Sequence, residues 1–205
     1  MRKTNPYIIL LILQSCIITR TPGFYSGYDR LTEREKQNII FTNPDADICN
    51  LSNDRNIYAI TGIQLRACIE SRDKVIVYHW TPNCSSRACF PLKTMQDYST
   101  KKGYHLFAVA RYYDSERMFD ENRYLTDSPL FSVNEVYYET KYCNKYDRLF
   151  FNNLLLGQNT KKEDFYSTIF IFDNGILVGT SSDEEILEEI QAESLRQVEE
   201  KQLCP

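Results

Sequence analysis

Residues 74–92 read KVIVYHWTPNCSSRACFPL. The first seven form an unbroken run of β-branched and aromatic side chains after Lys74, the pattern of a strand buried on both faces. Cys84 and Cys89 follow, with four residues between them. Pro91 suits the first turn of a helix, which PLKTMQDYSTKKGY carries as far as Gly103. HLFAVARYY is then the next strand. Strand, helix and strand in that order predict a parallel pair joined by a right-handed crossover.

The cysteine spacing limits what the pair can be. In one continuous helix the two residues would stand about 7.5 Å apart along the axis. That exceeds the ~7 Å between Cα atoms that a disulfide tolerates. A bridge therefore needs residues 84–88 to turn and the helix to start near Phe90, which Pro91 favours. A zinc site needs four ligands, and this pair supplies two. His79 and His105 are the only histidines, and neither stands at a metal spacing from the cysteines. No metal and no cofactor is expected. A redox pair and a structural staple both remain open.

Working outward, FYSTIFIFDNGILVGT is a hairpin turning at Asp173, Asn174 and Gly175. SSDEEILEEIQAESLRQVEE is an acidic amphipathic helix, with Ser182 and Glu185 as its capping box. Residues 114–159 are less regular and rich in aromatics; Ser132 with Glu135 predicts a capped helix there. On the other side, Thr32 with Glu35 caps a short helix expected to run to Ile39 or Ile40. TNPDADICNLSNDRN is loop. Ile57, Ile60, Ile63 and Ala67 fall at helical spacing and predict a second helix, in which Gly62 is a cost.

The whole chain has 205 residues, 42% of them hydrophobic, enough for one domain with its own core. Its net charge is −4 with the two signs mixed, and no basic stripe marks a nucleic-acid partner. Arg2 and Lys3 precede a short apolar run in MRKTNPYIILLILQSC, the layout of a secretory signal; no segment is apolar for the ~18 residues of a membrane span. LQSC, ending at Cys16, resembles the lipobox of bacterial lipoproteins, in which the cysteine becomes the lipidated N-terminus. Leu13 and Ser15 match it and Gln14 departs from it. The alternative is an ordinary signal peptide cut between Thr19 and Gly23. With Cys16 lipidated, Cys49, Cys68, Cys84, Cys89, Cys143 and Cys204 remain, an even number that permits disulfides in an exported chain. Cys49 with Cys68, or Cys143 with Cys204, are possible staples.

VIVYHWTPNC resembles the strand and pre-cysteine turn of membrane-tethered extracytoplasmic thioredoxins, with Trp80 and Cys84 at that family's aromatic and first-cysteine positions. FPLKTMQDYSTKKGYHLFAVARYYD and STIFIFDNGILVG resemble its next helix and strand and its hairpin. The resemblance implies an α/β fold, a thioredoxin-like three-layer α/β/α sandwich over residues 57–205. Residues 1–15 would be a lipoprotein signal, 16–56 an N-terminal extension, and about 115–162 a helical insertion between the βαβ unit and the hairpin. It implies Cys84 as attacking thiol at the N-terminus of the helix carrying Leu92 and Met95, and Cys89 as resolving thiol. Trp80 and Ser167 would border the substrate. Ser167 stands where the family has a cis-proline, and C-x4-C stands where it has C-x-x-C. The partners would be protein thiols or disulfides, or a redox partner, with the membrane reached through the lipid anchor. TPNCSSRAC also resembles the bacterioferritin-comigratory type of peroxiredoxin, which would make Thr81 a helper residue. A third reading is a non-catalytic lipoprotein of the same fold that binds an envelope partner through the aromatic segment 119–151.

Overall fold

Strand β3 (Lys74–Trp80) is buried at every residue after Lys74, as its apolar run requires. In the computed structural model, which describes residues 22–203, it has a neighbour on each side. β4 (His105–Ala110) runs parallel to it from Val75↔His105 to Trp80↔Ala110. β6 (Ile169–Asp173) runs antiparallel, with Val75 opposite Phe172 and Tyr78 opposite Ile169. The segment with Cys16, and Cys204, lie outside the described residues.

The other strands are β1 (Ile39–Phe41), β2 (Ile57–Ile60), β5 (Phe131–Val133) and β7 (Ile176–Thr180). Together the seven form one mixed sheet in the order β1-β2-β5-β4-β3-β6-β7. Five neighbouring strands, β1 to β3 in that order, are parallel. The β6–β7 hairpin turns through Asn174 and Gly175 at φ 48° and 77°. Two successive positive φ values are the turn that matches strand twist, and Asn-Gly is the pair that adopts it at least cost.

Helices cover both faces. Period-two alternation sends Val75 and Val77 of β3 to one face and Ile76, Tyr78 and Trp80 to the other. The first face is covered by α2 (Gly62–Glu70) and α5 (Cys143–Leu154), through Leu65, Ile69, Tyr146, Phe150 and Leu154. The second is covered by α3 (Leu92–Lys102), α4 (Met118–Asn122) and α6 (Glu184–Leu203), through Leu92, Met95, Met118 and Ile190. The short α1 (Glu33–Lys36) precedes β1 and has the Thr32–Glu35 capping box expected for it.

Four local expectations are corrected. The helix beginning after Thr32 stops at Lys36, and Ile39–Phe41 is strand β1, paired with β2. The sheet therefore begins inside the segment expected to be an extension. Ile57–Ile60 is a strand, and α2 starts only after Thr61. Thr61 and Gln64 form a full capping box, a T-x-x-Q signal hidden inside the expected helix. The buried stripe of α2 is Leu65, Cys68 and Ile69, while Ile63 is exposed. Ser132 caps no helix: it lies in β5, its hydroxyl paired with that of Tyr113. Residues 115–162 are thus more than a helical insertion, because their strand β5 sits between β4 and β2 inside the sheet. Finally, α6 begins at Glu184, and the Ser182 hydroxyl pairs with Thr180 and Asp164 instead of forming a box with Glu185.

Candidate functional site

Cys84 and Cys89 are joined by a disulfide, with Cα atoms 5.9 Å apart. The backbone reaches this closure by turning. Cys84 N donates to Thr81 O at 3.3 Å, with Asn83 at φ 58° inside that turn, and Cys89 N donates to Ser86 O at 3.0 Å. Both cysteines are partly exposed. The turn is anchored from several sides. Thr168 Oγ1 donates to Ala88 O at 3.0 Å, Asn83 Nδ2 to Asp114 Oδ2 at 2.8 Å, and the Tyr112 hydroxyl to Pro82 O. Below it, the buried Tyr78 hydroxyl donates to Phe90 O at 2.8 Å and accepts from Phe90 N at 2.7 Å. That pair of hydrogen bonds fixes the entry to α3.

Helix α3 starts at Leu92 with Pro91 as its N-cap, so Cys84 does not lie at its N-terminus. The expected place of Cys84 at the N-terminus of the helix carrying Leu92 and Met95 is corrected by this geometry. The Leu92 N–H instead donates to Glu121 Oε2 at 3.3 Å. The field of a helix end fades within a turn, and here a carboxylate already occupies it. Cys84 has a different polar neighbour: Ser86 N donates to its Sγ at 3.5 Å.

Beside this loop, at the carboxyl ends of β3 and β4, lies a cavity of about 630 Å³. Open α/β sheets place ligand crevices at these strand ends. His79, on β3, and Arg111, just past β4, enter from the sheet; Asp147 and Phe151 enter from α5. His79 Nε2 stands 3.4 Å from Asp147 Oδ1. Asp147 Oδ2 accepts from Arg111 Nε at 2.9 Å, and Arg111 Nη2 donates to Asn144 Oδ1 at 2.5 Å. The His79 ring meets Phe151 edge-on at 4.9 Å between centroids, and Phe151 stacks on Phe170 at 5.0 Å. His79 N donates to Thr168 O at 2.7 Å, tying the cavity wall to the same residue that holds the disulfide loop. Three buried polar atoms here lack a hydrogen-bond partner: His79 Nε2, Asp147 Oδ1 and Ser167 Oγ. The 3.4 Å separation is within ion-pair reach but lacks the geometry of a hydrogen bond.

The residues expected to act together are divided by the sheet. Trp80 points to the face opposite His79 and is 4% exposed, packed in the core with Phe90 and Leu92. Ser167 lines the cavity with Thr168 and, beyond the loop, Thr81. Its peptide bond is trans, as are all those of the described residues. Asp147, Arg111 and the cavity itself were not legible in the sequence, since 68 positions separate His79 from Asp147.

The other cysteines are now placed. Cys49 and Cys68 form a second disulfide, and Cys143 carries a buried free thiol that accepts from the Tyr146 hydroxyl at 3.0 Å. Burial pushes the Cys143 thiol up to about 11. Asp47 joins Cys49 and Cys68 as a trio of metal-type donors, but both sulfurs belong to the bridge. In the aromatic segment, Phe131, Tyr146, Phe150 and Phe151 are core; Tyr137 and Tyr142 remain exposed. Among the described residues no helix is long and apolar enough to cross a membrane. No protein-family model, no curated protein and no solved structure matches the chain.

Proposed function

We propose that the chain is an exported, lipid-anchored thioredoxin-like protein that exchanges disulfides through Cys84 and Cys89. The observation that carries this reading is the partly exposed Cys84–Cys89 bridge in the connection from β3 to α3. The strand order β7-β6-β3-β4, with α3 between two parallel strands and α6 after the hairpin, supports a thioredoxin-like core. Two disulfides among the described residues suit an oxidising compartment. The LQSC motif supplies the anchor. A palmitate analogue is expected to label the wild-type protein in cells and to leave Cys16→Ala unlabelled; label retained by the variant overturns the anchor.

In the reduced protein the Cys84 thiolate, facing the Ser86 N–H, attacks one sulfur of a substrate disulfide. That bond breaks, a mixed disulfide forms, and the departing substrate thiolate takes a proton. Cys89 then attacks the Cys84 sulfur, which restores the Cys84–Cys89 bond and releases the second substrate thiol. The substrate gains two electrons and two protons, and a thiol-bearing redox partner returns them to the protein. Cys143 has no part in this, because its thiol is buried and burial raises its pKa, so it is held protonated and out of reach of a substrate disulfide.

Alkylation mapped by mass spectrometry is expected to modify reduced Cys84 first and native Cys143 last. Cys84→Ser is expected to abolish insulin reduction, and Cys89→Ser to accumulate a mixed disulfide. A second reading, a non-catalytic lipoprotein of the same fold, draws on the Glu121 carboxylate at the α3 terminus, which leaves Cys84 without a helix end. On that reading both variants keep wild-type behaviour in redox assays and lose only the about 2 kcal/mol of a short-loop staple. That result would overturn disulfide exchange.

A further inference from the structure

We infer that the cavity between β3 and α5 binds a small organic oxyanion, a carboxylate or a phosphate monoester, with its apolar body against Phe151, Phe165 and Tyr166. This site is separate from the chemistry of Cys84 and Cys89. At about 630 Å³ the cavity is the size of a metabolite site. Its lining sets three cationic side chains, Arg111, Arg148 and Lys162, against the single carboxylate of Asp147, in a chain whose net charge is −4. Arg111 balances Asp147 directly. Arg148 and Lys162 have no ion-pair partner among the described residues and are exposed at the rim.

A second observation is independent of charge. Ser167 is 6% exposed, lines this cavity, and leaves Oγ without a hydrogen-bond partner. Buried polar atoms in native proteins are nearly always paired, so this hydroxyl on the cavity wall marks a place where a ligand supplies the acceptor, while His79 Nε2 faces Asp147 Oδ1 at 3.4 Å. An oxyanion accepts from a hydroxyl, a guanidinium and an ammonium alike. The body of the ligand is set by the aromatics. Phe151 stacks on Phe170, and Phe165 and Tyr166 are 38% and 80% exposed at the mouth, so three rings border one opening.

The test is calorimetric titration of the full mature chain with phenyl phosphate, benzoate, inorganic phosphate and benzyl alcohol. Phenyl phosphate or benzoate, whichever head group fits, is expected to bind at least about ten-fold tighter than both benzyl alcohol and inorganic phosphate. The better of the two identifies the head group as phosphate or carboxylate. Arg148→Ala with Lys162→Ala is expected to weaken that ligand about ten-fold or more at an unchanged melting temperature, since both side chains are exposed. Tyr166→Ala is expected to weaken it less. The Cys84→Ser, Cys89→Ser double variant is expected to bind as the wild type does, whatever its redox behaviour. Equal affinity for benzyl alcohol, no effect of the Arg148 and Lys162 changes, or no binding of either anion at about 10 mM would each overturn the assignment.

Discussion

Gly62→Ala is expected to lower the free energy of unfolding by about 3 kcal/mol, although alanine is the better helix former by nearly 1 kcal/mol. Gly62 is the first residue of α2, and there the helix backbone passes against that of α5. A Cβ at Gly62 would overlap the Phe150 carbonyl oxygen and lie 3.0 Å from both Leu154 N and Asn153 Cβ. The nearest of these atoms is backbone in the middle of α5, so no rotamer change relieves the clash. The two helices must move apart over a core that includes Leu65, Phe150 and Leu154. Gly62 N also donates to the Tyr138 hydroxyl at 2.9 Å, which in turn accepts from Asn153 Nδ2 at 3.2 Å, so separation breaks a buried network as well. Calorimetry should show a melting temperature lower by roughly 6–12 °C for a chain of this size. A fall below about 2 °C would mean that α5 shifts at little cost. Because α5 carries Asn144 and Asp147, the same variant is expected to disturb the His79–Asp147–Arg111 arrangement without touching it.

The Cys49→Ala, Cys68→Ala double variant is expected to lose about 3 kcal/mol, more than the loss of Cys84–Cys89, because its bridge closes the longer loop. The sequence separations are 19 and 5 residues. Cys68 is fully buried on α2, and the bridge holds the strandless chain between β1 and β2 against that helix. Other bonds hold it too. Gln64 Nε2 donates to Asn43 O and Ala46 O at 3.0 Å each, Arg72 Nη2 to Cys49 O at 2.7 Å, and Ile48 is 1% exposed in the core. The fold therefore survives the substitution, and the effect is one of stability alone. Urea unfolding of the variant against oxidised wild type measures it. Equal midpoints would show that the bridge adds no net stability, against the loop-length argument.

Local signals in the chain suffice where one short stretch holds its own answer. KVIVYHW is a strand buried on both faces, and only such a strand reads as an unbroken apolar run. Pro91 and Gly103 bracket α3, and Asn174-Gly175 turns the hairpin, because each acts through its own backbone.

What the tertiary structure decided is which neighbour each stretch meets. Ile57 and Ile60 are three apart, a spacing that suits a helix, yet β1 and β5 pair with them on either side and make them a strand. The T-x-x-Q box at Thr61 marked that boundary, but a three-residue strand such as β5 carries no periodicity to read. Disulfide partners are likewise a matter of approach in space: spacing allowed Cys84–Cys89 only through a turn, and nothing local joins Cys49 to Cys68. The same holds for the candidate sites. The aromatic pair His79-Trp80 was legible, but the pleat sends its two rings to opposite faces; only the packing of α5 on one face brings Asp147 to His79, and on the other Trp80 is buried in the core with Phe90 and Leu92. Backbone preference is written residue by residue along the chain, whereas a cavity is made by side chains whose separation in sequence has no bearing on their separation in space.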